Sequence, residues 1–573
     1  MEAASMSVTL TAISWSSSPM AADLVIRGGT VLDGTGNVGR RADVAVSSGV
    51  ITEIGPNLRG ERELDASGCA VSSGFIDIHT HYDAQVFWDP ALRPSSYQGV
   101  TTVVAGNCGF TIAPSRVEHH DVIVRTLEGV EDMDARTLSA GIAWEFQSFP
   151  QYLEAVRRRG TVLNFTAYVG HTALRLYVMG DAAYERAATA DEITRMAALL
   201  GEAVDSGAAG FSTSFAYTHR GVDGKPVPSR FAEADEVEAL FAAAGRAAKG
   251  VVLITPGPQC AYADVYEWQP RVGLPFTYPL FARPGGAHLE TVDLHEKGLA
   301  RGANVWPQVT PRPLTMQFTM EDAYNLNVGT VFGELLKVGR AVRRAAYRDS
   351  EWRALAAADL EQTPMKPRWE TFEVSESERF PELQGRRVDE LARERGLSPL
   401  DVMCELALAE DLQTRFRAYI ANDDVASVGN LLSHEQVALG LSDAGAHVDQ
   451  LCDAPLPTDL LGSWVRERRL MPLERAVRKL TGEPADMFGF ERRGYLREGF
   501  WADVCVFDPE TVGPGPVRRV RDFPADGERL TAEEPSGVRH VLVNGTPIRL
   551  DGVQVDPTGR QPGMRPEMAT RHR

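Results

Sequence analysis

At 573 residues the chain is long enough to bury a large core, and 43% hydrophobic with 24% charged residues is the composition of a globular protein. No apolar run approaches the roughly 18 residues that a membrane span requires, and 59 Lys plus Arg against 78 Asp plus Glu gives a net charge of −19, which repels nucleic acid at long range. Six dispersed cysteines without a Cys-x-x-Cys pair argue against a disulfide framework or a zinc knuckle and for a reducing, cytoplasmic setting.

Residues 1–20 read as a disordered extension, because no Lys or Arg precedes their mildly apolar stretch as in a secretory signal. From 21 to 74, short β-type runs broken by Gly-Gly, Asp-Gly and Ser-Gly turns predict the first part of a small β-unit. From 75 to 498, strand-like segments beginning near Gly99, Thr161, Gly207, Lys249, Gly302 and Glu435 alternate with amphipathic stretches such as DEITRMAALLGEAVDSG. This rhythm predicts an α/β chain with a parallel sheet closed as a (β/α)₈ barrel, whose chemistry gathers at the C-terminal strand ends. A doubly wound sheet is the alternative, disfavoured because no Gly-rich phosphate turn follows the first strand. A charged, Trp- and Pro-containing stretch at about 318–397 reads as an insertion or lid. The β character returns at 499–560, with an Asn-Gly turn at Asn544, so both termini are expected to form one small β-sandwich; 561–573 reads as a loose tail.

Chemistry is concentrated first in GFIDIHTHYDA, Gly74 to Ala84. On a strand, His79 and His81 project to one face and Thr80 to the other, which is a chelating arrangement for Zn²⁺ or a similar ion, although two merely hydrogen-bonded histidines are the plainer reading. Asp443 in GLSDAGAH can supply a carboxylate ligand or cap the following helix.

GFIDIHTHYD, GVTTVVAGNCGF, YVGHTALR, GFSTSFAY, GLSDAGAH, LTGEPADMFGF and EGFWADVCVFDPE, in this order over almost the whole chain, resemble the amidohydrolase superfamily, specifically its N-acyl-D-amino-acid deacylase (D-aminoacylase) branch. The resemblance implies a metal-bearing (β/α)₈ barrel with a small β-sandwich from both termini. It implies that His79 and His81 hold metal, that Cys108 ligates or bridges it, and that Asp443 is ligand and proton shuttle. Cys108 also has a physical case, since Gly106 and Gly109 leave room for close approach and thiolate binds zinc strongly; a buried inert thiol is the alternative. His171 would act on the substrate or transition state.

Two departures change the expected site. Pro256 in VVLITPGPQ stands where the family has a histidine after strand five, and GLPFTYPLFARPGG after strand six contains no His, Cys, Asp or Glu. A mononuclear centre, one Zn²⁺ per chain, is therefore expected. His219 is a candidate replacement or substrate-binding group, with an ordinary loop histidine as the alternative. APLPTDLLG, with Thr458, replaces the family's carboxylate-recognising stretch, leaving Arg220 or Arg312 to substitute; Tyr278, Trp306 and Gln308 are expected to line the pocket. The expected reaction is hydrolysis of a C–N amide bond in a small molecule, with a substrate range altered from that of D-aminoacylases. The alternatives are a lyase, decarboxylase or cyclic-amide enzyme on the same scaffold, or an inactive binding homologue. A homo-oligomer is left open.

Overall fold

The computed structural model describes residues 21–221, 224–323, 326–363, 366–557 and 561–571. The expected extension, residues 1–20, lies outside them. No helix among the described residues is long and apolar enough to cross a membrane.

Both termini enter one nine-stranded sheet. The join is antiparallel pairing of Val504–Phe507 with Ala70–Ser73, in which Cys505 faces Ser72. Leu24, Ile26, Val44, Val71, Val504 and Leu542 pack into one apolar cluster across that join, so neither terminus can bury its hydrophobic face alone.

The middle of the chain supplies eight parallel strands: Phe75–Asp77, Val100–Ala105, Asn164–Ala167 running on into Val169–Gly170, Gly210–Ser214, Val251–Thr255, Phe276–Pro279, Val305–Val309 and Ala438–Leu439. A parallel bridge between Thr80 and Ala444 brings the segments after the first and eighth strands together. The first strands are buried along their whole length, Val100–Ala105 at every position, which is why they read as apolar runs and not as alternation. Ile76, Ile78, Val104, Tyr168, Val251 and Leu253 fill the interior, and Phe488, Phe490 and Met568 close its base.

The insertion is wider than 318–397. Leu314–Thr319 pairs antiparallel with Arg415–Ala421, Phe318 against Phe416, and Glu373–Glu376 adds a third strand. The unit therefore closes on itself from Leu314 to Ala421 and carries its own core, including Met320, Phe332, Tyr347, Val374 and Met403. Within 499–560, Arg518–Phe523 and Gly527–Thr531 leave the terminal sheet as a separate hairpin. This hairpin lies over the strand-eight loop, Leu530 N–H donating to the Val448 carbonyl (2.5 Å), and Arg519 reaches both the Asp449 carbonyl (3.0 Å) and Glu376 of the insertion (3.1 Å).

The expected loose tail is a correction. Residues 561–571 run beneath the barrel, where strands begin with unpaired backbone groups that need partners. Gly563 N–H donates to the Thr161 carbonyl (2.8 Å), Phe165 N–H to the Met564 carbonyl (3.0 Å), Ala569 N–H to the Gly489 carbonyl (2.8 Å) and Arg571 N–H to the Ala248 carbonyl (2.8 Å). Met568 is only 7% exposed. Truncation before Gly563 exposes this side chain and the base of the interior and is expected to cost about 2–4 kcal/mol. Thermal melts of full-length and truncated protein check this, and equal melting temperatures would contradict it.

Candidate active site

The ends of the first, second and eighth strands converge. After Asp77 the chain carries His79, whose N–H donates to the Asp77 carboxylate (3.2 Å), and His81; Thr80 between them turns away and donates to the Val104 carbonyl (3.0 Å). His79 and His81 are 0% and 2% exposed. Asp443 Oδ1 lies 3.1 Å from His79 Nε2 and 3.8 Å from His81 Nε2. Cys108 Sγ lies 3.5 Å from His79 Nε2. The ligand atoms of His79, His81 and Cys108 all fall within 4.8 Å of one another, and no other such group of three or more occurs among the described residues.

Backbone strain is concentrated in the same loops. Cys108 (φ 54°) and Asp443 (φ 45°) both adopt left-handed conformations that cost a non-glycine residue about 1–3 kcal/mol. Gly109, at φ 83°, packs so tightly that a Cβ would sit 3.0 Å from Thr213 Cα and Ser214 N. The strain aims the thiol and the carboxylate at the histidines.

Electrostatically the point these groups share favours positive charge. Burial pushes His79 down, but Cys108 and Asp443 outweigh it and hold the imidazole well above its ordinary value. Burial would raise Asp443, yet His79 and His81 bring it to about 2. Burial drives His81 down to about 3 despite Asp443, which keeps this ring neutral with a lone pair to give.

Each histidine faces a further polar side chain behind it. Gln308 Oε1 lies 2.6 Å from His79 Nδ1, an acceptor that fixes the proton on Nδ1 and leaves Nε2 facing Cys108 and Asp443. Gln308 needs Gly440, where a Cβ would come within 2.4 Å of Oε1. Glu131 Oε1 lies 3.5 Å from His81 Nδ1, and Glu131 Oε2 lies 3.6 Å from His447 Nε2. The sequence reading missed Glu131, Asp132 and His447. His447 stands four residues past Asp443 inside the quoted GLSDAGAH, a signal that was available; Glu131 and Asp132 in GVEDMD look like any solvated acidic helix end.

The remaining candidates divide. His219 lies in the loop after strand four and packs edge-on against Phe110, two residues past Cys108, with ring centroids 5.3 Å apart. Ser214 Oγ lies 2.6 Å from His219 Nδ1 and also accepts the Ala216 N–H (3.3 Å), so Nδ1 is engaged and Nε2 is the ring nitrogen without a hydrogen bond to Ser214. Burial brings His219 to about 4, so the ring is neutral. His171 does not reach the site. It opens the helix His171–Met179 outside the barrel wall, with Nδ1 on Thr213 Oγ1 (2.8 Å) and Nε2 on Glu236 (2.9 Å), so both ring nitrogens are engaged.

Gln308 touches His79 and not a substrate pocket, as above. Tyr278 faces outward, hydrogen-bonded to Tyr266 (2.8 Å) on the surrounding helix Tyr262–Val272. Trp306 points inward but one layer too low: it packs with the interior cluster, and its Nε1 donates to Asn304 (2.7 Å), before the strand. Arg312 is committed to Asp453 (2.8 Å), with Asp459 at 3.9 Å. Arg220 is exposed and donates to the Gly224 carbonyl (3.1 Å). Neither guanidinium stands ready for a substrate carboxylate.

An eight-stranded parallel barrel with a His-x-His pair at the end of its first strand and an aspartate past its eighth is the architecture of a barrel hydrolase with its site at the C-terminal strand ends. The chain belongs to the amidohydrolase family, whose model matches residues 62–549, and it is a hydrolase of carbon–nitrogen bonds other than peptide bonds. It is 32% identical to D-aminoacylase of Alcaligenes xylosoxydans xylosoxydans over 557 residues, covering 92% of this chain and 94% of that one. Among solved structures it is similar to N-acyl-D-glutamate deacylase of Bordetella bronchiseptica, complexed with zinc and a phosphonate mimic of the tetrahedral intermediate (28% identity, TM-score 0.67, covering 95% of this chain and 99% of that one). It is also similar to a D-aminoacylase with a binuclear metal centre in which one metal activates and the second attenuates (28% identity, TM-score 0.65, covering 95% and 99%).

Proposed function

We propose that this amidohydrolase removes the acyl group from an N-acylated amino acid or a related small amide, using one divalent metal, Zn²⁺, held by His79, His81, Cys108 and Asp443. The observation that carries the reading is the convergence of two imidazole nitrogens and a thiol within 4.8 Å of one another, with the Asp443 carboxylate beside both imidazoles, at 3.1 and 3.8 Å. Two nitrogens, one sulfur and one oxygen are a donor set that zinc accepts. Strand five ends in Thr255 followed by Pro256, and strand six in Pro279 followed by Leu280, none of which offers a histidine or carboxylate for a second ion. The D-aminoacylase in which one metal suffices for activation is consistent with a single ion here.

Bound at that point, a divalent ion supplies Lewis acidity, lowering the pKa of water and polarising the scissile carbonyl. The residues do the rest. Asp443, held ionised, accepts the proton of the attacking water on its carboxylate and passes it to the leaving nitrogen, a downhill transfer because an amine is far more basic than a carboxylate. His219 Nε2–H donates to the carbonyl oxygen as charge develops there, the role the sequence reading gave to His171. Gln308 keeps the His79 lone pair on Nε2. The hairpin Arg518–Thr531 and the insertion Leu314–Ala421 cover the strand-eight loop and limit access of bulk water.

With Arg312 paired to Asp453 and Arg220 turned to a backbone carbonyl, the substrate range departs from one that depends on a free amino-acid carboxylate. The experiment is an assay of the zinc-loaded protein on N-acyl-D- and N-acyl-L-amino acids alongside their carboxamides and cyclic amides. Hydrolysis of an open-chain N-acyl compound is expected, with carboxamides accepted comparably to acids. Turnover of cyclic amides alone, or of none, contradicts the reading.

A further inference from the structure

Helix His120–Glu131 ends against the active site, and its last residue has an unusual position. Glu131 is 4% exposed and has no Lys or Arg within ion-pair distance among the described residues; its two oxygens face two imidazoles, His81 at 3.5 Å and His447 at 3.6 Å. His81 Nδ1 is buried and makes no hydrogen bond; the Glu131 oxygen at 3.5 Å is the acid that faces it. His447 is in turn fastened to the same helix end, its backbone N–H donating to the Glu131 carbonyl (2.7 Å) and its Nδ1 lying 2.7 Å from Asp132 Oδ2. Both Asp132 (φ 49°) and His447 (φ 48°) hold left-handed conformations, so two strained turns meet at this one contact. Asp443 lies four residues before His447 on the same loop.

We propose that Glu131 is a positioning residue for the metal centre: it holds His81 by Nδ1 so that Nε2 is presented to the ion, and through His447 it ties the strand-eight loop that carries Asp443 to the strand-one loop that carries His81. The two metal histidines are thus backed differently, His79 by a hydrogen bond with the amide of Gln308 and His81 by the buried acid of Glu131 at 3.5 Å. A hydrogen-bond acceptor behind an imidazole fixes its tautomer and orientation, and loss of such a partner typically weakens metal binding 10–100-fold. Burial of an acid at the end of a helix, where the dipole disfavours negative charge, is otherwise unexplained by packing.

The inference rests on zinc binding at His79, His81, Cys108 and Asp443, and the test separates the two. Zinc affinity of metal-free full-length protein is measured by competition with a chromophoric chelator for wild type, Glu131→Ala, Glu131→Asp and Glu131→Gln, with thermal melts of each metal-free variant. Wild-type protein that takes up no zinc overturns the metal reading itself. Given wild-type binding, Glu131→Ala is expected to raise the zinc dissociation constant about 10–100-fold, and Glu131→Asp, which withdraws the carboxylate by one methylene, by several-fold. Glu131→Gln, which keeps an acceptor at the same reach, is expected to restore affinity to within about threefold of wild type. Melting temperatures are expected to stay close to wild type. Unchanged affinity in Glu131→Ala overturns the proposal, as does equal weakening in Gln and Ala; if the Ala variant does not fold, unchanged affinity in Glu131→Asp overturns it.

Discussion

Asp443→Asn is expected to lower kcat on the order of 10³–10⁴-fold while leaving the fold intact. Asparagine removes the proton acceptor and one anionic ligand together, and general acid–base catalysis alone is worth about 10²–10⁴. Asn is the informative substitution because Asp443 sits at φ 45°, a conformation that Asn tolerates as well as Asp, whereas Ala adds strain and confuses lost chemistry with a displaced loop. The measurement is kcat and KM on the best substrate, with the circular dichroism spectrum and melting temperature as controls for the fold. Near-normal turnover removes Asp443 from the mechanism.

Removal of the metal has the second large effect. Dialysis against a chelator is expected to reduce turnover to below about 1% of the loaded rate, because a bound divalent ion is what lowers the pKa of water toward neutrality. Titration with Zn²⁺ is expected to restore the rate at about one equivalent per chain, with no gain from a second, since strands five and six end in Thr255-Pro256 and Pro279-Leu280. Metal content by mass spectrometry alongside initial rates decides it. A rate that climbs to two equivalents means that other side chains complete a second site, and a rate indifferent to chelation removes the metal from catalysis.

These expectations show which parts of the site are local properties of the chain. The alternation of side chains puts His79 and His81 on one face wherever the strand lies, and Gly-rich loops after apolar runs mark Cys108 and Asp443. Tyr278, Trp306 and Gln308 were harder. In strands buried on both faces the pattern does not tell inside from outside, and depth along the barrel axis decides whether an inward residue meets the site or the floor. Tyr278 proved outward, Trp306 too low, and Gln308 inward at the height of His79. His171 was misread because a residue opening a helix on the outer wall has the same sequence context as one in a loop over the mouth.

By itself, then, the sequence determined the barrel, the union of its two ends in a single β-unit and the four metal-binding candidates, because each follows from short-range periodicity or from a motif a few residues long. Tertiary structure alone decided the roles of Glu131, Asp132 and His447, the pinned tail and the hairpin over the mouth. These contacts join residues distant in the chain, 50 positions apart for His81 and Glu131 and 315 for Asp132 and His447. Whether a buried acid helps or harms depends on what faces it in space, which no local pattern encodes.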